Sequence, residues 1–215
     1  FYGGFGTNIK EAKPVVSRAV LLSSAGVLLT AGITGIFIHL VLKLPLLESF
    51  LVASVIGSTD AASVFNILRS KNLNLKENTA SLLEMESGSN DPVSYMLTVI
   101  LTAVLTGQSV NIGSMLFFQV FFGIGCGVLF GKSTAVVLNQ VDFDIAQGKT
   151  ILVFAAAILA YTVPSMIGGN GYLSVYLCGI ILGNSYLPHK RDMVLFFDVL
   201  TGVAQMMIFF LLDRK

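Results

Sequence analysis

Long apolar runs separated by short polar stretches fill almost the whole sequence. A helix that crosses the hydrocarbon core of a bilayer needs about 20 mostly apolar residues. Seven runs approach that length, at 20–42, 46–68, 79–105, 115–138, 150–167, 172–184 and 193–212. The second is interrupted by Thr59 and Asp60, and the third carries Glu84, Glu86, Asn90 and Asp91. Lys132 stands near the end of the fourth, where its stem can carry the charge to the interface. Pro164 sits close to the end of the fifth, and the turn Gly168-Gly169-Asn170-Gly171 leads into a short sixth. The pattern predicts an all-α fold, a polytopic membrane helix bundle.

Composition strengthens this reading. Of 215 residues, 54% are hydrophobic and 12% charged, against roughly 25% charged in soluble domains. Mean hydropathy is +0.82. A net charge of +1 supplies no basic field for a nucleic-acid partner. Cys126 and Cys178 lie inside apolar runs without metal-ligand spacing and read as two buried free thiols. With no Trp, interfacial anchoring falls to Tyr and Phe. No cleavable signal is visible. The chain starts at Phe1 rather than Met, on what reads as a Gly-rich turn, so its natural beginning is expected upstream.

Charge bias sets the orientation. With the segment before the first run on the cytoplasmic side, Lys10, Lys13, Arg18, Arg69, Lys71, Lys76, Lys132, Lys149, Lys190 and Arg191 all fall inside. The outer loops hold only Lys43, apart from the terminal Arg214 and Lys215. This is a positive-inside pattern. The closing Asp213-Arg214-Lys215 reads as an abrupt end to a longer protein.

Gly123, Gly127 and Gly131 recur at four-residue spacing in the fourth run. Small residues so spaced let helix backbones approach closely in lipid. A dinucleotide-binding loop would need a strand–loop–helix context that this run lacks.

Acidic residues at depth carry the chemistry. Asp60 lies roughly 13 Å from the cytoplasmic end near Arg69, and Asp91 about 18 Å from the start of its run, at the α-helical rise. A carboxylate there costs at least ~2.5 kcal/mol on insertion scales, which makes function the default reading. The bland alternative, an Asp buried for helix–helix hydrogen bonding, weakens when Asp60 and Asp91 fall on consecutive runs with Glu86 nearby. Gly57-Ser58-Thr59-Asp60 makes a poor helix interior, so a break is expected within Ser58 to Asp60. Unwound midplane segments expose carbonyls that bind cations in secondary transporters. Ser87 and Asp91 share one helix face, and Glu86 and Asn90 share an adjoining one. Such hard oxygen ligands suit an alkali cation. His39 and His189, near helix ends, are poor candidate ligands.

The stretches Gly57-Ser58-Thr59-Asp60-Ala61-Ala62-Ser63-Val64-Phe65 and Glu86-Ser87-Gly88-Ser89-Asn90-Asp91-Pro92 together resemble the monovalent cation/proton antiporter-1 family, the NhaP and sodium/proton exchanger group. Asn66-Ile67-Leu68-Arg69-Ser70-Lys71 with Glu84-Met85-Glu86 is similar to bacterial potassium/proton antiporters of cell-volume regulation. The resemblance implies that Asp91 is the main cation- and proton-carrying carboxylate, with Asn90 completing an electroneutral-type "ND" pair. Asp60 and Thr59 would close the site from the broken helix, and Ser87 would add its hydroxyl. Glu86 would form a structural ion pair with an arginine on a later core helix, which this sequence does not contain. Family members have about 13 helices in an inverted-repeat fold, and the seven runs resemble the fourth through tenth. The resemblance divides the chain into a cytoplasmic-side leading segment (1–14), the first half of an ion-binding core (15–106), a linker helix (107–138) and three scaffold or interface helices (139–215).

The implied function is secondary active transport. A monovalent cation, potassium or sodium, would exchange for protons by competition at a midplane carboxylate, since burial favours the protonated acid and a bound cation the ionised one. The expected setting is the bacterial inner membrane, as a multi-pass homodimer that is not an enzyme and uses no cofactor beyond the transported ions. Two other readings stand beside it: an inert or split fragment of such a transporter, and an intramembrane aspartyl protease. The protease would require a second facing aspartate; Gly88-Ser89-Asn90-Asp91 follows its GxGD pattern only loosely.

Overall fold

In lipid, the hydrophobic effect does not choose which face of an apolar helix turns inward, so shape and hydrogen bonding must. A computed structural model, which describes residues 1–59, 79–108, 111–141, 146–187 and 190–213, shows how this chain resolves that choice. Its helices run in the order α1 (Tyr2–Gly6), α2 (Ile9–Ala12), α3 (Val16–Leu42), α4 (Leu46–Ile56), α5 (Thr79–Leu105), α6 (Ile112–Gln140), α7 (Ala146–Met166), α8 (Gly171–Gly183) and α9 (Lys190–Asp213). Among the described residues there is no strand, so the all-α expectation holds.

Among the described residues four helices, α3, α6, α7 and α9, are long and apolar enough to cross a membrane. Helix α5 has the length, 27 residues, but carries the polar cluster. Helices α4 and α8 are shorter, at 11 and 13 residues. Several helices begin three or four residues before the apolar runs do. Polar starts explain this: Asn111, for example, accepts from the Ser114 N–H at 3.1 Å and so caps α6 ahead of its apolar stretch.

Inward faces are made of small residues. On α3 the buried positions are Ala19, Ser23, Val27, Ala31, Gly35 and Ile38, nearly all at four-residue spacing. Leu28, Leu29, Ile33 and Phe37 between them stay exposed. A left-handed Lys43 (φ 55°) and Pro45 turn the chain back into α4. The Phe50 ring then lies where a side chain on Gly35 would be, 2.6 Å from the position of a Cβ.

The Gly123-Gly127-Gly131 ladder of α6 faces α8, as its spacing predicts. A Cβ at Gly127 would stand 2.6 Å from the Ser174 carbonyl, and one at Gly131 would stand 3.0 Å from Ile181 Cβ. Helix α8 is thereby the centre of its half of the bundle, packed by α1, α5, α6 and α7. Ser174, Tyr176, Cys178, Gly179, Ile180, Leu182 and Gly183 are all buried in it. Cys178 is buried, Cys126 is half-buried and both are free thiols.

One expectation needs correction. The Gly-rich start is a helix, not a turn: Tyr2–Gly6 forms α1, with Gly4 and Phe5 buried. Gly4, Gly179 and Gly183 carry no side chains between the two backbones, so α1 lies directly on α8. Contact with α8 overrides the low helix propensity of this segment.

Candidate cation site

Helix α4 ends at Ile56, two residues before the expected break, with Gly57 in an αR turn and Ser58 and Thr59 beyond it non-helical. A helix end leaves its last carbonyls without intrahelical donors. The Ser54 carbonyl is one of these, and it accepts from the Ser94 hydroxyl of α5. Ser54 Oγ in turn lies 2.9 Å from Thr98 Oγ1. The end of α4 is therefore stitched to α5 one turn at a time.

Just past the break, the seam becomes a polar cluster. The Ser58 hydroxyl faces two acceptors, Asn90 Oδ1 at 3.1 Å and Asp91 Oδ1, and its one proton serves one of them at a time. Asn90 Nδ2 donates to Thr59 Oγ1, which also lies 3.2 Å from Ser87 Oγ. Ser87 and Asn90 are each 1% exposed. Asp91 instead looks into open space: it borders a cavity of about 730 Å³ with Ser58 and Thr59, and two smaller ones of about 230 and 100 Å³. Asp91 thus stands between a buried amide and hydroxyl on one side and a cavity on the other.

Of the residues marked out by the sequence, Thr59, Ser87, Asn90 and Asp91 come together. Glu86 is half-buried on α5. Asp60 lies outside the described residues, and with it the question of whether it shares the cavity with Asp91. His39 serves α3, its Nδ1 donating to the Leu44 carbonyl at 2.7 Å; His189 is outside the described residues.

Three contributors escape a reading of the sequence. Ser58 was marked only as part of the break, yet it touches both Asn90 and Asp91. Gly88 has a Tyr176 ring carbon 2.5 Å from where its Cβ would be, so α8 can press against α5 within a turn of Asp91. Asn170 is the third. It is fully buried, and its Nδ2 donates to the Pro92 carbonyl at 2.9 Å. Its Oδ1 accepts from Leu173 N–H at 3.0 Å, capping α8. Its own N–H donates to the Gln119 carbonyl of α6 at 3.0 Å. One residue thus ties three helices together next to Asp91. An Asn in a Gly-rich turn before an apolar run was a legible cap signal; its partner on α5 was not.

Comparison with known proteins assigns the geometry to a family. The sequence pattern of the family described as "Sodium/hydrogen exchanger, transmembrane" matches residues 1–212. The chain belongs to that family. Among curated members, this exchanger-family chain is 34% identical over 214 residues to the K(+)/H(+) antiporter NhaP2 of Shewanella oneidensis. It is 33% identical over 215 residues to the K(+)/H(+) antiporter NhaP of Alkalimonas amylolytica. These alignments cover 98% and 99% of this chain but 37% of each relative. The solved structure of the sodium proton antiporter MjNhaP1 of Methanocaldococcus jannaschii superposes with a TM-score of 0.81 at 25% identity, covering 96% of this chain and 52% of that one. The chain therefore spans about half, or less, of the length of the relatives it matches. Its apolar helices and its bacterial antiporter relatives make it a multi-pass protein of the inner membrane.

Proposed function

We propose that this chain supplies one half of the ion path of a monovalent cation/proton antiporter, with Asp91 as the group that holds a cation or a proton in turn. The supporting observation is the meeting of Ser58 and Thr59, past the end of α4, with Ser87, Asn90 and Asp91 on α5. A bound cation and a bound proton neutralise the same carboxylate, so each excludes the other. Ser58 is placed to follow the change, since its proton can turn to Asp91 when the carboxylate is bare and to Asn90 when a cation takes its place. Thr59 and Ser87 offer neutral oxygens, and Asp60 would add a second charge from the segment after the break. The cation is potassium or sodium, the ions named for the relatives.

In this reading residues 15–106 form the first half of the ion-binding core, 107–138 link it to the rest, and 139–215 are scaffold. The leading segment, 1–14, joins the scaffold through α1. Exchange needs no cofactor and no enzyme chemistry, and the full-length protein works as a homodimer. The test is ion-driven pH change in proteoliposomes holding the full-length protein, with potassium and sodium compared at several pH values. The half-saturating cation concentration should rise as pH falls, because protons compete for the same carboxylate. A half-saturation independent of pH would sink the competition mechanism.

A further inference from the structure

The cavity beside Asp91 has a wall that the site described so far does not use. Tyr2 of α1 and Phe197, Leu200 and Thr201 of α9 line it together with Ser58, Thr59 and Asp91. Beside this wall, bonded to it and not lining the cavity, stands a second carboxylate. Asp198 follows Phe197 directly and shares a helix face with Thr201, three residues on. Its Oδ1 accepts from the hydroxyl of the cavity-lining Tyr2 at 3.2 Å, and the residue is exposed.

Depth gives this position meaning. Asp198 lies about 12 Å along α9 from Lys190 at the α-helical rise. The Lys190 ammonium marks the cytoplasmic end, where it reaches the Gly183 carbonyl at the close of α8 and sits 5.5 Å from the Phe5 ring. Asp91 lies about 18 Å from the start of α5, on the same side by charge bias. Asp198, bonded to the wall of the cavity that Asp91 lines, is therefore the shallower of the two carboxylates.

An acid inside an apolar span is costly to insert and marks an ion pathway by default. Helix packing does not require the charge, because an asparagine would accept the same bond from Tyr2. A charge there would act on ions. A carboxylate lining a cavity with low-dielectric walls and a second just behind its wall together focus negative potential and raise the local cation concentration. We propose that Asp198, oriented by Tyr2, is a recruiting site for a hydrated monovalent cation on the cytoplasmic side of the cavity, ahead of Asp91. This inference rests on the exchange reading above.

The experiment uses the full-length protein in proteoliposomes, with potassium or sodium presented to the cytoplasmic face at fixed pH. Asp198→Asn keeps the acceptor but removes the charge, and should raise the half-saturating cation concentration about fivefold, with the maximal rate nearly unchanged. Added choline chloride should shrink that difference, because salt screens the field. Tyr2→Phe removes the hydrogen bond but keeps the charge, and should shift half-saturation by less than about twofold by the same logic. Asp198→Glu should restore wild-type behaviour. The proposal is overturned if Asp198→Asn leaves half-saturation unchanged, or if Glu behaves like Asn. It is also overturned if Tyr2→Phe does more harm than Asp198→Asn, which is the mark of a purely structural bond. Wild-type protein that exchanges while Asp198→Asn matches it rejects this site alone; wild-type protein that exchanges neither cation rejects the parent reading.

Discussion

The α4–α5 seam and the α6–α8 seam lie in the same bundle and are built on different chemistry. Between α4 and α5, side-chain hydroxyls and an amide meet across the interface: Ser54 with Thr98, Ser58 with Asn90 and Asp91, and Thr59 with Ser87. Between α6 and α8, Gly123, Gly127 and Gly131 bring backbone against Asn170, Ser174 and the Leu177 and Ile181 side chains. In the first seam the Ser58 hydroxyl faces two acceptors, and its proton can turn between them at little cost. The second is close-packed, and a change of even one methyl group is felt. In the proposed exchange, the first seam would respond to an ion and the second would not.

The largest effect should come from Asp91→Asn in the full-length protein. Asn keeps the size and an oxygen for Ser58 but can neither titrate nor neutralise a cation. Exchange should vanish while the amount of protein in the membrane stays near wild type; wild-type rates would break the assignment of the responsive seam. Next, Gly127→Leu should act on the other seam. Its side chain would be driven into the Ser174 backbone, an overpacking worth about 3 kcal/mol. The thermal midpoint of the solubilised protein should drop, while exchange per folded molecule changes little.

Asn170→Ala tests the joint between the two seams. It removes the α8 cap and the bond to the Pro92 carbonyl, together about 2 kcal/mol. A merely structural role predicts lost stability alone. Because Pro92 adjoins Asp91, the half-saturating cation concentration should rise as well. Ser87→Ala should be mildest. It removes one neutral oxygen beside Thr59, worth about 1 kcal/mol, so half-saturation should rise a few-fold with stability unchanged.

Much of this was written in the sequence, because the bilayer imposes length. The run at 79–105 and helix α5 coincide residue for residue. The break after Gly57 was legible because Gly, Ser and Thr each favour leaving the helix. The glycine ladder was legible because its spacing matches one helix face. What escaped depends on partners far away in the chain. Gly3, Gly4 and Gly6 look like a turn until α8, more than 160 residues later, supplies the surface that makes them a helix. The Asn170 bond crosses 78 residues and the Ser58–Asn90 bond 32, and neither leaves a local pattern. Of the cluster on α5, Ser87, Asn90 and Asp91 meet the residues past the break, with Asn90 turned toward Ser58 and Thr59.

The shortness of α8 has one further consequence. Its 13 residues span about 20 Å, well under the roughly 30 Å of hydrocarbon, whereas the 27 residues of α3 reach about 40 Å. Other helices enclose α8, so bilayer thickness acts on it only through them, while α3, α6 and α9 present long apolar faces to the acyl chains. In a thinner bilayer the long helices tilt to hide their excess length. The glycine contact would transmit that tilt from α6 to α8, and Asn170 would pass it to the backbone beside Asp91. Acyl-chain length then becomes a mechanical input to the carboxylate's surroundings, and transport in vesicles of graded thickness should pass through an optimum.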